Sequence, residues 1–342
     1  MKVVAIGGGT GLSSLLRSLK RLVKENLIGE LTAIVTVADS GGSTGRLRRD
    51  YNIPAPGDIR NCIVALAESE DLLKDLFQYR FDEGELKGHA FGNIFLTALT
   101  KVTGNFLDAV RYSCQILNTL GEILPSTVEN VHLVAQFEDG TVIKGEDKIP
   151  EYAKSTGKKI VKIWLDPSDV KAPIDTVEAI LGADYIIVGP GSFYTSIIPN
   201  FLIEDIKEAY KKSKAKKIFV VNAMTQPGET DGFTAFDHVK KFSEITGLDL
   251  PHFAVVNTRM PYYKLLKKYI EQGQEPVVPD VSEFARHNVQ VIAEDLIGDN
   301  DNFIKHDPEK LAEVLKRLFT EFGIIAEGKS LMGKRNIDEK RL

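Results

Sequence analysis

Five short apolar runs in this chain each end in a polar loop, and that recurrence restricts the fold more than any other feature. The runs are Lys2–Ile6, Thr32–Val37, Tyr185–Val188, Ile218–Val221 and Phe253–Val256, and a sixth run of the same kind is Lys159–Leu165. Each has strand length, and several carry Val and Ile at successive positions, as strands covered on both faces require. Helical patterns separate them, which predicts an α/β architecture: a Rossmann-like, mainly parallel sheet with helices on both faces.

The alternation breaks after the second run. Residues 58–120 have helical periodicity, with Ile63, Leu66 and Ala67, then Leu72, Leu73, Leu76 and Phe77, then two further stretches, Phe91–Val102 and Phe106–Leu117. Residues 130–149 read as a hairpin turning at Asp139-Gly140, a strong two-residue turn signal. The expectation is one α/β domain over 1–327 with a helical plus β-hairpin insertion at about 58–150. A late helix should start at Asp307-Pro308, with Asp as N-cap, and stop at Phe322-Gly323. Residues 328–342 are polar, hold five Lys or Arg and lack periodicity, so they are expected to form a flexible tail.

Forty-three Lys plus Arg against 48 Asp plus Glu give a net charge of −5, the wrong sign for a dedicated nucleic-acid binder. The run Lys211–Lys217 reads as a solvated helix end whose cations favour the C-terminal dipole. Cys62 and Cys114 stand 52 residues apart without a CxxC, so a disulfide scaffold or structural zinc is not expected. No stretch approaches the roughly 20 apolar residues of a membrane helix. The chain is expected to be cytoplasmic, without membrane insertion or nucleic-acid partner, and a homo-oligomer is left open.

Ligands of open α/β sheets bind beyond the carboxyl ends of the strands, so the loops should form one composite site. The first is Gly7-Gly8-Gly9-Thr10-Gly11-Leu12, ahead of a helix read as Ser13–Lys24; Gly8, Gly9, Thr10 and Gly11 are candidate phosphate contacts. Leu12 breaks the GxGxxG fingerprint, which weakens an NAD-dependent oxidoreductase reading. After the second run come Asp39, Ser40, Gly41, Gly42, Ser43 and Arg46, read as a second glycine- and serine-rich loop. Asp39 could hold a ribose hydroxyl or a divalent metal. In Pro54–Cys62, Asp58 is expected to cap a helix beginning at Ile59, while Arg60 and Asn61 face ligand. Arg60 would oppose the helix dipole there, a conflict that a bound anion removes.

In Gly88-His89-Ala90-Phe91-Gly92-Asn93, His89 is a candidate phosphate ligand or acid/base and Asn93 a ligand contact. Gly189, Gly191 and Ser192, then Asn222 and Thr225, complete the candidate set, with Asn257-Thr258-Arg259 repeating the pattern. Phe193 or Tyr194 could stack on a base, although packing is the commoner role of such rings. The chain has no GxxxxGK[ST], HExxH or GxSxG motif.

Six motifs in order, Gly7–Ser13, Ala38–Ser43, Gly57–Cys62, Gly88–Asn93, Gly189–Ser192 and Met224–Thr230, resemble the YvcK-type gluconeogenesis factors. Those factors share a superfamily with 2-phospho-L-lactate transferase CofD, and the resemblance runs from residue 1 to about 322. It implies a Rossmann-like core and a cytoplasmic bacterial protein that binds UDP-sugars. It further implies a role in cell shape and wall-precursor supply during gluconeogenic growth. The transferase branch joins a phospholactyl group from a guanosine diphospho donor to a deazaflavin with a divalent metal. That branch carries Asp-Asp where this chain has Asp39-Ser40-Gly41-Gly42, a departure that argues against both metal and transferase.

The leading expectation is therefore a nucleotide-sugar-binding factor. Its ligand's diphosphate would lie across loops 7–11, 40–46 and 189–192, with Arg46 and Arg60 as charge partners. A CofD-like transferase using Asp39 and His89 is the alternative.

Overall fold

The apolar runs do become strands, but they do not all join one sheet. The structure, a computed structural model, describes residues 1–298 and 303–321. Its strands in chain order are β1 (Lys2–Gly7), β2 (Glu30–Val35), β3 (Glu122–Pro125), β4 (His132–Phe137), β5 (Val142–Lys144), β6 (Ile160–Asp166), β7 (Tyr185–Val188), β8 (Lys216–Val220), β9 (Phe253–Asn257) and β10 (Gln290–Glu294). Seven of them form a sheet in the order β10-β9-β8-β7-β1-β2-β3, with every neighbouring pair parallel. Val3 to Ile6 are at most 2% exposed, so both faces of β1 are covered. This is the Rossmann-like α/β fold that the sequence predicts.

The sixth run is a correction. β6 pairs antiparallel with β4, which also pairs antiparallel with β5 across the Asp139-Gly140 turn, giving a separate three-stranded sheet. Val161 and Lys162 are exposed on β6, as an outer sheet allows and a buried parallel strand does not. β3, in contrast, lies inside the block read as helix and hairpin, yet it pairs in parallel with β2 in the main sheet.

The helices that position the site are α1 (Gly9–Lys24), α2 (Gly42–Tyr51), α3 (Gly57–Leu66), α4 (Asp71–Gln78), α5 (Phe91–Thr103) and α6 (Phe106–Ile116). α1 begins four residues earlier than the sequence predicts, so the glycine loop is itself the helix's first turn. α2 replaces the expected loop over residues 42–49. Its glycines, serine and threonine favour non-helical conformations, and packing against α5 overrides that preference. α3 packs on α1 beside β2. Asp307 Oδ1 accepts the Glu309 and Lys310 N–H groups and caps helix 308–321 as expected. The expected stop at Phe322-Gly323 and the tail 328–342 lie outside the described residues. Cys62 and Cys114 are free thiols.

Because the chain leaves β1 toward β2 and later returns to β1's other side as β7, the strand order reverses between β1 and β7. A crevice opens at such a reversal, beyond the carboxyl ends of the strands.

Candidate functional site

The sequence-predicted residues divide into two cavities at this edge of the sheet. The first, about 330 Å³, lies over the β1–β7 reversal and is lined by Gly9, Thr10, Gly11, Gly191, Ser192, Asn222 and Thr225, among others. α1 has no side-chain cap, and Leu12 N–H makes the first intrahelical bond, to Gly8 O at 3.2 Å. Its earlier N–H groups have no intrahelical partner. A Cβ on Gly11 would sit 2.4 Å from Pro190 O, so only glycine lets the two loops meet. Asn222 clamps the facing loop: its Oδ1 accepts Gly191 N–H at 2.9 Å and its Nδ2 donates to Gly191 O at 2.8 Å. Gln226 Nε2 donates to Ser192 Oγ at 2.7 Å. Thr225 is held by the Glu275 backbone. Gly8 and Gly189 shape these loops from behind; a Cβ on Gly8 would meet Thr36 Cγ2 at 2.6 Å.

The second cavity, about 300 Å³, contains Asp39, Gly41, Gly42, Ser43, Asp58, Arg60, Asn61 and Asn93. Asp39 Oδ1 accepts Gly41 N–H at 2.8 Å. Asp58 does not cap α3, whose N-cap is Pro56 with no side-chain bond. Instead Asp58 accepts the Gly9 N–H across the site, while burial and then the neighbouring Asp39 push its carboxyl up to about 7.

Besides Gly8 and Gly189, three expected residues, Ser40, Arg46 and His89, line neither cavity. Ser40 faces away and donates to Asp147 Oδ1 at 2.6 Å. Arg46 Nε donates to His89 Nε2 at 3.1 Å, and Ser43 Oγ lies 2.9 Å from His89 Nδ1. Both ring nitrogens of His89 are thus engaged, and burial followed by Arg46 lowers its pKa. His89 in this arrangement orients α2 and is not presented as an acid/base. Phe193 and Tyr194 are buried at 0% and 5% exposure and stack edge-on against each other, which removes both as base platforms. Asn257 bonds to Arg259 and Leu296 backbone and shapes its own turn.

Sequence reasoning missed two acidic residues at the site. Glu229 accepts Tyr194 N–H at 2.8 Å and Thr195 Oγ1 at 3.2 Å, and burial pushes it up to about 7. Glu146 arrives from the small sheet and bonds to Thr195. Burial, then Asp39, Asp58 and Glu229, raise it to about 8. Glu229 stands in the Met224–Thr230 motif and was legible there, whereas nothing local marks Glu146. Among the described residues no three His, Cys, Asp or Glu side chains form a cation cage. Asp39 and Asp58 are the two carboxylates that line the second cavity, and each keeps lone pairs beside the backbone N–H that it accepts.

Carboxyls raised in this way bind more protons folded than unfolded, where their pKa is roughly 4. Their stabilising effect is complete below that value and is lost as pH rises through 7 to 8. The histidines lowered by desolvation, His89, His132, His238, His252 and His306, work the other way and are neutral in both states only above about pH 7.5. The melting temperature should therefore fall between about pH 7.5 and pH 8.5. Glu146→Gln should flatten that fall; an identical slope in the variant would remove Glu146 from the coupled group.

Comparison with known proteins matches residues 3–297 to the family model described as 2-phospho-L-lactate transferase CofD. A protein of Aquifex aeolicus provisionally named a gluconeogenesis factor is 62% identical over 318 residues, covering 93% of this chain and 96% of that one. The gluconeogenesis factor of Bacillus subtilis is 43% identical, covering 94% and 98%. A crystal structure of a UPF0052 family member from Bacillus halodurans superposes with a TM-score of 0.86 at 41% identity, covering 92% and 97%.

Proposed function

Because the chain belongs to the CofD family and, within it, to the gluconeogenesis factors, we propose that it acts by binding a nucleotide sugar of the UDP class. The observation that carries this reading is the crevice at the strand-order reversal. There the uncapped start of α1 faces the loop held by Asn222. Backbone N–H groups and the helix dipole favour a diphosphate at such a helix start. Gly9, Thr10, Gly11, Gly191 and Ser192 would cradle the diphosphate, and Thr225 would bound the nucleoside end.

His306 supports the same placement. It lines the crevice at 4% exposure, and its Nε2 has no hydrogen-bond partner. Neutral imidazole is either donor or acceptor at that atom, so it suits a ribose hydroxyl or a base edge. In the cell this binding would serve wall-precursor supply and cell shape during gluconeogenic growth, in the cytoplasm. Among the described residues no helix is long and apolar enough to cross a membrane.

Calorimetric titration with UDP-N-acetylglucosamine, UDP-glucose, GDP and NAD tests the reading. Binding of at least one UDP-sugar in preference to GDP and NAD is expected. Failure of both UDP-sugars at millimolar concentration would sink it. Preference for GDP would move the chain toward a transferase of phosphorus-containing groups, a reading that the raised Asp58 carboxyl beside Asp39 favours.

A further inference from the structure

The second cavity holds a buried guanidinium that Asp39 and Asp58 influence electrostatically but that neither of them bonds. Arg60 is 9% exposed; its Nη2 donates to Asn61 Oδ1 at 2.7 Å, while Nε and Nη1 are buried without a partner. Arg80 lines the same cavity, and its positive charge, after burial, lowers the Arg60 pKa. Asn93 Oδ1, on a residue 2% exposed, is likewise unpartnered, and Asn93 Nδ2 reaches Thr44 Oγ1 at 3.4 Å. α2 opens into this space. Its N-cap is Gly41 with no side-chain cap, and the first intrahelical bond is Gly45 N–H to Gly41 O. The N–H groups at the start of α2 therefore have no intrahelical partner.

A buried guanidinium with two unmade hydrogen bonds, facing a second guanidinium and a helix start, is a costly arrangement unless an anion completes it. Candidate donors come from three segments, the start of α2, Arg60 on α3 and Arg80 after α4, and a phosphate, with its several acceptor oxygens, can use more of them than a carboxylate can. Asp39 and Asp58 also line the cavity. Near neutral pH Asp58 is poised to meet the anion as a protonated donor.

We propose that the cavity between α2 and the start of α3 is a phosphate-binding site separate from the nucleotide crevice. It takes either free phosphate or the terminal phosphate of a small phosphorylated metabolite. The Gly9 N–H to Asp58 contact stands between the two cavities, so the site is occupied together with the nucleotide. It does not depend on the UDP-sugar reading.

The test titrates inorganic phosphate and glycerol 3-phosphate into the full-length chain, with and without saturating UDP. Each should bind equally well in both conditions, and the tighter of the two identifies the source of the phosphate. Arg60→Ala should weaken phosphate binding at least ten-fold without a large fall in melting temperature, because the guanidinium bonds only its neighbour Asn61 and leaves two buried nitrogens unpartnered. Arg80→Ala, at an exposed position, should melt like wild type and bind phosphate several-fold more weakly. Displacement of phosphate by UDP overturns the proposal. So does wild-type phosphate affinity in Arg60→Ala, or a large fall in that variant's melting temperature, which would reveal a structural partner. Loss of UDP-sugar binding with phosphate binding retained would sink only the nucleotide reading.

Discussion

Arg48→Met should lower the melting temperature by roughly 4–7 °C, the largest stability effect expected of any polar side chain near the site. Arg48 is 2% exposed although it lies on a helix whose composition reads as loop. Its Nη1 donates to Ala38 O at 3.2 Å and Asp39 O at 2.7 Å. Nε and Nη2 meet Asn130 Oδ1 at 3.1 and 2.7 Å, and Nη2 also bonds Val131 O. One guanidinium thus ties the segment after β2 to the segment before β4. Methionine fills similar space but leaves three backbone carbonyls and an amide oxygen short of donors. At about 1–3 kcal/mol for each buried group left unsatisfied, and with some reached by water, the cost is about 3–5 kcal/mol. At about 2.1 cal/mol/K of unfolding entropy per residue, a chain of this length shifts by about 1.4 °C per kcal/mol, which gives the stated range. Arg48→Lys should recover only a minor part, since an ammonium cannot span acceptors on opposite sides. Differential scanning calorimetry decides it, and a shift under 2 °C would show that the four acceptors find other donors.

Gly11→Ala should have the largest effect on binding. The new Cβ would lie 2.4 Å from Pro190 O, 2.7 Å from Pro190 C and 2.8 Å from Gly191 Cα. All three are backbone atoms that cannot rotate aside. Loop 189–192 must then move away from the start of α1, at roughly 1–3 kcal/mol of overpacking. If two charge-assisted bonds to a diphosphate are lost with the geometry, UDP-sugar affinity should fall at least a hundred-fold. Gly182→Ala is the control: nothing lies within 4 Å of its added Cβ, and it should bind as wild type and melt no earlier. Equal affinity in Gly11→Ala and wild type would place the diphosphate elsewhere.

Sequence alone determined the strands of the sheet's centre and the end at which the polar, glycine-bearing loops gather. Apolar runs of strand length, a polar loop after each, and caps such as Asp307 are local signals, and local signals survive in one dimension. β3 and β10 escaped notice because they are edge strands. β3 has four residues including Pro125, and β10 is half-exposed, so neither carries a continuous apolar run. Only the tertiary structure decided that β6 leaves the main sheet, since pairing partners are set by packing and not by the strand's own pattern.

The same division holds for the site. Asp39, Asp58, Arg60 and the glycines stood in loops whose density of donors was visible in the sequence. Which arginine is buried without a partner was not visible. Arg46, Arg48 and Arg60 look alike in the chain, yet one bonds a histidine, one bonds four oxygens and one is left with two unpartnered nitrogens. Nor could the sequence bring Glu146 to carboxyls on Asp39, Asp58 and Glu229, because that meeting depends on how the small sheet docks over the loops. Local propensity sets most of the elements, α2 excepted, whereas burial and charge are properties of the surroundings, and those exist only once residues far apart in the chain have packed together.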